Sequence, residues 1–573
     1  MNILCCFLLS ITLAVALFWL LKIKANNLFL LLLGLLPIIV VYIINPYNRV
    51  YSAHGFMHMS FVYQIYNGVF PPQNPLIAGE NLLYPWGIHL LVAAIIKVIK
   101  ISPSSIFALV NIISLLITIV LVFKIADSLF SNRITAIFAV LLSVFGVTFF
   151  DRGAIAKLLN YLTNISISEP RAVIGIKFTN MNAMPLGIMF FTLFIYALVS
   201  IFPPKKSLKF NYIYLFVSVL GVGFFYPLLW LGQLVSSSFV CGCIYLQEKH
   251  LAKRRIIATL LIVVAASLFL YPYIYQISAA KTGSSISLTY ISKYLTFKII
   301  KYCLTLLPLA FIFFWLPKTI SILYDHKERI NVVVAIWVST ALMYIFLTIT
   351  PPHSNEYKYL MISSLAWGIL ASVAMEFLYR EKRFICFIFV VILLLPISDD
   401  WLRKLDVNNW QISEPYIEQG MYLLPDGKQE KLLYQWIVHQ TPKDAIFLDD
   451  KLTIPVFGRR QLYIGLDNHQ IDKDPNMKDG WRMDLEELLT IQKYSPQLLE
   501  ERKTIVTQIY SPSNQEISSE IINQLNKESK TKEVYVVARQ KEISQKLKNS
   551  QDFKQVFTNN QTDIYKLQKN NLL

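Results

Sequence analysis

A chain of 573 residues that is 55% hydrophobic, with a mean hydropathy of +0.49, is not an ordinary soluble protein. Its formal net charge of +17 would point a soluble chain toward nucleic acid. Here the basic residues cluster in short loops between apolar runs, where membrane topology accounts for them and no nucleic-acid partner is called for. The six cysteines (Cys5, Cys6, Cys241, Cys243, Cys303 and Cys386) lie in or beside apolar stretches, so neither a disulfide framework nor a zinc clip is indicated.

Hydrophobic runs of about 17–20 residues recur from Met1 to about Pro396. Each can cross a hydrocarbon core of roughly 30 Å as a helix, the form in which a lone segment satisfies its own backbone hydrogen bonds in lipid. Spans are predicted near 3–21, 27–44, 104–123, 134–150, 183–202, 210–227, 228–246, 256–276, 298–316, 330–350, 358–378 and 384–397, about twelve in all. The first run lacks the basic stretch of a signal peptide and is read as a retained helix. The loops carrying Lys22 and Lys24, Lys124 and Arg133, Lys205 and Lys206, Lys253 to Arg255, Lys318 to Arg329, and Arg380 to Arg383 then all fall on the cytoplasmic side. Parity places both termini outside.

Residues 86–100 form a further apolar stretch, but counting it as a span would invert every later loop and break the charge pattern. It is predicted to be a Lys-tipped helix lying in the outer interface. The large outer loops are therefore 45–103, 151–182 and 277–297, all within a membrane domain over 1–398. Beyond Ser398 the composition turns polar, and 399–573 reads as an extracytoplasmic α/β domain: a helix over Lys431–His439, then strands at Ala445–Leu448, Gln461–Gly465 and Glu533–Ala538.

Polar residues in the outer loops are where chemistry is expected, because water and a lipid-borne substrate meet there. In the first loop His54 and His58 are four apart and share a helix face if 54–67 is helical, a spacing that suits a metal ion or a base near neutral pH. Glu80 is the only carboxylate between Asn45 and Pro103, held beside Gly79 and between Pro75 and Pro85 near Tyr84. Apolar surroundings there would raise its pKa and fit it for proton transfer. Asp151 opens the second loop at a span end, followed by Arg152, Glu169, Arg171 and Lys177, whose cations suit a phosphate. Glu356 and Lys358 stand at the outer mouth of a later span. In the C-terminal region Arg459 and Arg460 form a basic turn after Gly458, placed for an anionic headgroup or a sugar. For each of these the alternative is packing, mutual pairing or a plain surface position. The chain has no Walker A loop, GxSxG elbow, HExxH helix or dinucleotide fingerprint.

On these residues the chain resembles the C-type glycosyltransferase (GT-C) superfamily, whose members are polytopic and take sugars from polyprenyl-phosphate carriers. The likeness rests on His54-xxx-His58, Gly68-xx-Pro71-Pro72-xx-Pro75, Gly79-Glu80 and Tyr84-Pro85 in the first loop. It extends to Glu169-Pro-Arg171 through Gly187, Glu356-Tyr357-Lys358-Tyr359, Thr441-Pro442-Lys-Asp444 and Gly458-Arg459-Arg460. One departure stands out. The superfamily usually carries an Asp in the first outer loop as base or metal ligand, and this chain has none there; His54 stands near the expected place.

The resemblance implies a plasma-membrane enzyme that transfers a sugar from a polyprenyl phosphate to a hydroxyl on a glycan, lipid or protein acceptor. His54, Glu80 or Asp151 would act catalytically, with or without a divalent cation. His58, Tyr84, Arg152, Glu169, Arg171, Lys177, Glu356, Lys358, Arg459 and Arg460 would contact substrate. The competing expectations are a transporter or flippase, a glycan polymerase or ligase, and a catalytically silent scaffold. Transport is disfavoured because the polar groups gather at outer helix ends rather than at the midplane and no halves repeat.

Overall fold

The computed structural model describes residues 53–145, 174–178, 181–202, 208–248, 252–278, 285–288, 327–350, 355–405, 427–449, 453–465, 494–511, 516–528 and 532–568, with isolated positions at 12, 15, 295, 298–299 and 302–303. Two compact units emerge, one drawn from 108–275 and 284–409, the other from 46–107 and 410–573. The expected spans at 3–21 and 27–44 and most of 298–316 lie outside the described residues.

The helical unit contains most of α3 (Pro103–Phe130), then α4 (Arg133–Val140), which continues as a π turn over Leu141–Phe145. A single helical turn at Ile174–Lys177 precedes α5 (Met184–Ile201), α6 (Leu208–Phe225), α7 (Pro227–Glu248), α8 (Lys253–Ser278), α9 (Lys327–Phe346), α10 (Tyr357–Glu381) and α11 (Arg383–Leu405). Among the described residues six helices, α3, α5, α7, α8, α9 and α10, are long and apolar enough to cross a membrane. The chain's punctuation explains where they begin. Pro103 and Pro185 sit in first turns, where a missing N–H costs nothing. Asn132 Oδ1 accepts the Ile134 N–H at 3.0 Å to cap α4, and Pro227 separates α6 from α7. The span expected to run to residue 350 ends at Phe346. Leu347–Thr350 instead forms β2, antiparallel to β1 (Ser285–Leu288), as the β-branched Thr348-Ile349-Thr350 favours.

Two contacts lock α4 to α10. Glu376 accepts hydrogen bonds from Asn132 Nδ2 and Thr135 Oγ1, each at 2.6 Å, and pairs with Arg380. At the π turn Ser143 donates to the Leu365 carbonyl, and a Cβ on Gly368 would stand 2.7 Å from the Ser143 backbone nitrogen. Backbone cannot yield as a flexible side-chain end can. Gly368→Ala is therefore expected to destabilise the helical unit by about 1–3 kcal/mol, seen as a lower melting temperature of the detergent-held protein.

The second unit joins α1 (Ala53–Tyr66) and α2 (Gly87–Ile99) to the C-terminal region. At 13 residues α2 is about 20 Å long, too short to cross the bilayer. It ends where Lys100 adopts a left-handed conformation and its N–H returns to the Ile96 carbonyl. The C-terminal region carries α12 (Gly427–Gln440), β3 (Ile446–Leu448), a π turn (Ile454–Gly458), β4 (Gln461–Leu462), α13 (Pro496–Tyr510), α14 (Ser519–Glu528), β5 (Val534–Ala538), α15 (Lys541–Asn549), β6 (Phe553–Thr558) and β7 (Asp563–Leu567). The five-stranded sheet has the order β4-β3-β5-β7-β6, with β3 parallel to β4 and β5 and the last hairpin antiparallel. The uninterrupted apolar run of β5 is buried throughout, as suits the central strand of the sheet, parallel to β3 and antiparallel to β7. The β6–β7 hairpin was not expected, because its first strand alternates into polar, exposed positions.

Candidate functional site

In the helical unit, three lysines gather around tyrosines at the start of α10. The chain turns at Asn355-Glu356, where the Lys358 and Tyr359 N–H groups bond back to the Asn355 and Glu356 carbonyls at 3.2 and 2.9 Å. Lys358 Nζ donates to Asn355 Oδ1 at 2.7 Å and lies over the rings of Tyr226 and Tyr357, 5.1 and 5.6 Å from their centroids. Lys177, at the end of the turn Ile174–Lys177 and only 5% exposed, brings its ammonium over the same Tyr357 ring at 5.2 Å. Tyr359 is tied to the Leu228 carbonyl at 2.8 Å.

The third lysine, Lys298, is buried and paired. Its Nζ stands 3.0 Å from Glu356 Oε1, donates to the Leu347 carbonyl at 2.5 Å, and lies 5.9 Å from the Tyr344 ring centroid. Glu356 is 1% exposed, so this pair exists only because each partner offsets the other's desolvation. Lys298 thus answers the buried carboxylate, while the ammonium groups of Lys177 and Lys358 lie over aromatic faces. Such a cluster is suited to a phosphate group. Lys177, Glu356 and Lys358 come together here as sequence-predicted residues. Lys298 and Tyr226 join them unpredicted, because a single Lys near an apolar run reads as an interfacial anchor.

In the other unit His58 and His89 form a buried pair. His58 Nδ1 and His89 Nε2 are 2.7 Å apart, with ring centroids at 5.0 Å and planes 15° apart. Tyr84, Phe61 and Phe107 surround them, and both imidazoles are fully buried. One ring must donate and the other accept, so the pair is at home when neutral. His54 lies one turn earlier on α1, and its side chain is outside the described residues. The partner of His58 is thus on α2, not four residues away.

Burial lowers His89 to a pKa of about 3, against a smaller opposite influence from the Trp86 backbone. The sign follows directly. Below pH 6.5 the unfolded chain binds a proton at this position that the folded chain refuses, so stability rises with pH between about 3 and 6.5 and is complete above that window. Folding free energy is expected to fall by roughly 1.4 kcal/mol per pH unit below 6.5, seen as a lower melting temperature as the pH drops from 7.5 to 5. His89→Phe should flatten that dependence.

Glu80 sits half-buried in a turn between Gln73 and Asn81, which bridge one another. Its carbonyl accepts the Asn74 N–H at 2.7 Å, and Gly79 before it has a φ of 82°, a conformation side chains resist. Arg459 places its guanidinium 4.7 Å from the Tyr63 ring centroid, while its own carbonyl accepts from Asn67 Nδ2 at 2.7 Å. Arg460 is buried and spends its donors on Thr441 Oγ1 and on the Ile437, Val438 and Thr441 carbonyls. Those carbonyls close the C-terminal end of α12, where a cation is favoured. Burial, then the neighbouring Arg459, lowers Arg460 to about 10, which still leaves it charged at neutral pH.

Asp151, Arg152, Glu169 and Arg171 lie outside the described residues. Among the described residues no group of three or more His, Cys, Asp or Glu side chains converges as a metal ligand set.

No family model matches the sequence, and no curated protein does. Among solved structures the chain is similar to ArnT from Cupriavidus metallidurans bound to undecaprenyl phosphate. The TM-score is 0.51 at 10% identity, over 94% of this chain and 97% of that one. ArnT from the same organism in the apo state gives the same TM-score and identity over 93% and 97%. At such identity the likeness is one of fold. The chain has the GT-C fold, that of a multi-pass helical membrane protein, and it carries a C-terminal sheet domain.

Proposed function

We propose that this multi-pass membrane protein is a glycosyltransferase that moves a sugar from a polyprenyl-phosphate carrier to an acceptor hydroxyl. The observation that carries this reading is the Lys177–Tyr357–Lys358 cluster, in a fold shared with a protein crystallised with undecaprenyl phosphate. Lys177 and Lys358 hold the carrier's phosphate, with Arg152 and Arg171 as further contacts. The bond from the anomeric carbon to the phosphate oxygen breaks, its electron pair leaving with polyprenyl phosphate, as the acceptor oxygen bonds to that carbon. The ammonium groups stabilise the charge that builds on the leaving phosphate.

The acceptor's proton goes to a carboxylate or imidazole, for which Glu80, His54 and Asp151 are the candidates. His58 and His89 are excluded from that role by their mutual hydrogen bond in a fully buried site. The acceptor is a glycan, a lipid or a protein.

An extracytoplasmic C-terminal domain in the plasma membrane follows from two supports. Backbone bonds tie residues 75–78, read as part of the first outer loop, to the C-terminal sheet, which supports assigning both to one membrane face. The basic loops belong to the opposite, cytoplasmic face.

The test is transfer by the purified full-length protein offered polyprenyl-phosphate sugars, with and without divalent ions. Release of polyprenyl phosphate that Glu80→Ala, His54→Ala or Asp151→Ala lowers by about 10²- to 10⁴-fold supports the assignment. No release with any donor rejects it.

A further inference from the structure

The strand β4 is an edge of the C-terminal sheet, and a two-residue edge leaves backbone groups that must find partners. They find them in the first outer loop, about 390 residues earlier in the chain. Leu462 turns both its backbone groups to that loop: its N–H donates to the Pro75 carbonyl at 2.8 Å, and its carbonyl accepts the Ala78 N–H at 2.9 Å. The Gly465 N–H donates to the Leu76 carbonyl at 2.7 Å, and Gln461 Nε2 to the Asn74 carbonyl at 3.2 Å. The neighbouring Tyr463 N–H points the other way, to the Phe447 carbonyl of β3. Residues 75–78 therefore occupy the place of a sixth strand, and Leu76, Ile77 and Ala78 are buried there.

Two side chains from the C-terminal domain close the loop around this rail. Arg502 on α13 is buried, and its Nη1 donates to the Ala78 carbonyl at 2.8 Å and the Tyr463 carbonyl at 3.1 Å, so one guanidinium spans loop and sheet. The Tyr494 hydroxyl accepts from Asn74 Nδ2 at 3.1 Å and donates to the Asn81 carbonyl at 2.6 Å, clasping the two ends of the turn that contains Glu80.

We infer that the C-terminal domain is a clamp for the first outer loop, with Arg502 and Tyr494 as positioning residues that set where Glu80 is presented. The loop completes the sheet, and the sheet in turn gives the loop one conformation. Neither residue acts on substrate directly. The clamp itself rests on these contacts; its effect on turnover rests on the glycosyltransferase reading and on Glu80 serving it.

Both levels are separable by experiment on the full-length protein in detergent. Hydrogen exchange is followed in peptides covering 73–83 and 534–538 for the wild type, Arg502→Met, Arg502→Lys and Tyr494→Phe. Arg502→Met is expected to speed exchange in 73–83 by about tenfold or more with β5 unchanged, and Arg502→Lys to recover part of the protection. Tyr494→Phe, a milder change, should move the same peptide in the same direction and serves if Arg502→Met does not fold. Unchanged exchange in 73–83, or an equal rise in β5, overturns the clamp.

In the transfer assay, the same variants should lower kcat by about tenfold with the donor KM unchanged, and Arg502→Lys should restore part of it. A wild-type protein that transfers from no donor rejects the glycosyltransferase reading, while the exchange data still decide the clamp. A loop that loosens with kcat intact rejects Glu80 as the group being positioned.

Discussion

Lys358→Met is expected to lower kcat/KM for the lipid-linked donor by about 10- to 100-fold while leaving the fold in place, and Lys177→Met should do the same. Methionine keeps much of the unbranched apolar stem against the Tyr226 and Tyr357 rings, so packing survives and the charge alone is removed. A hydrogen bond to a charged group is worth about 1.5–3 kcal/mol, which sets the range. The loss should appear in kcat at saturating donor, because charge on the leaving phosphate is greatest in the transition state. A rise in KM alone would mean that the two lysines only bind the carrier. Lys298→Met should behave differently. It removes the cation paired with the buried Glu356 carboxylate, so its signature is a lower melting temperature.

Arg539→Met is expected to cost the C-terminal domain about 3–5 kcal/mol, the largest effect on stability of any single change considered. Arg539 follows β5 and grips Asp449, which follows β3, through two bonds at 3.1 and 2.9 Å; a third at 2.9 Å reaches Glu430 on α12. Asp449 is fully buried and Glu430 nearly so. Burial works against the Arg539 charge, but the two carboxylates outweigh it and hold the guanidinium more firmly protonated than usual. Removing it leaves two acids of like charge, with the Tyr434 hydroxyl donating to Glu430 at 3.0 Å. For a domain of this size the melting temperature should drop by on the order of 10 °C. Near-ultraviolet circular dichroism of the full-length protein would report it. Arg539→Lys keeps the charge but not the fork, and should fall between.

Local reading recovered the helices well, because a membrane span is announced by its own composition. α5, α7 and α10 begin and end within a few residues of where apolar runs, prolines and basic loop residues place them. The short helix α2 was separable from a span by loop charge alone. The strand β5 was legible as five consecutive apolar or aromatic residues. The β6–β7 hairpin was not, since its partly exposed first strand carries Lys554, Gln555 and Thr558.

The candidate site was legible in part for the same reason. Glu356 and Lys358 announce themselves as charges at the mouth of a span, but the partner of Glu356 is Lys298, 58 residues earlier, and no pattern in the sequence links them. His58 pointed toward His54 by helical period, whereas its ring meets His89 on another helix. Arg460 looked like a basic surface turn and is a buried helix cap.

By itself the sequence determined the membrane class, the places of the six described spans and the α/β character of the C-terminal region. Each of these follows from hydrophobicity, charge or period within one short segment. Only the tertiary structure decided that Pro75–Ala78 completes a sheet whose nearest strand begins at Gln461, that His89 faces His58, and that Lys177 and Lys358 share one tyrosine ring. Periodicity tells which face of an element is buried, whereas what that face meets depends on backbone and side-chain groups brought together from tens to hundreds of residues apart.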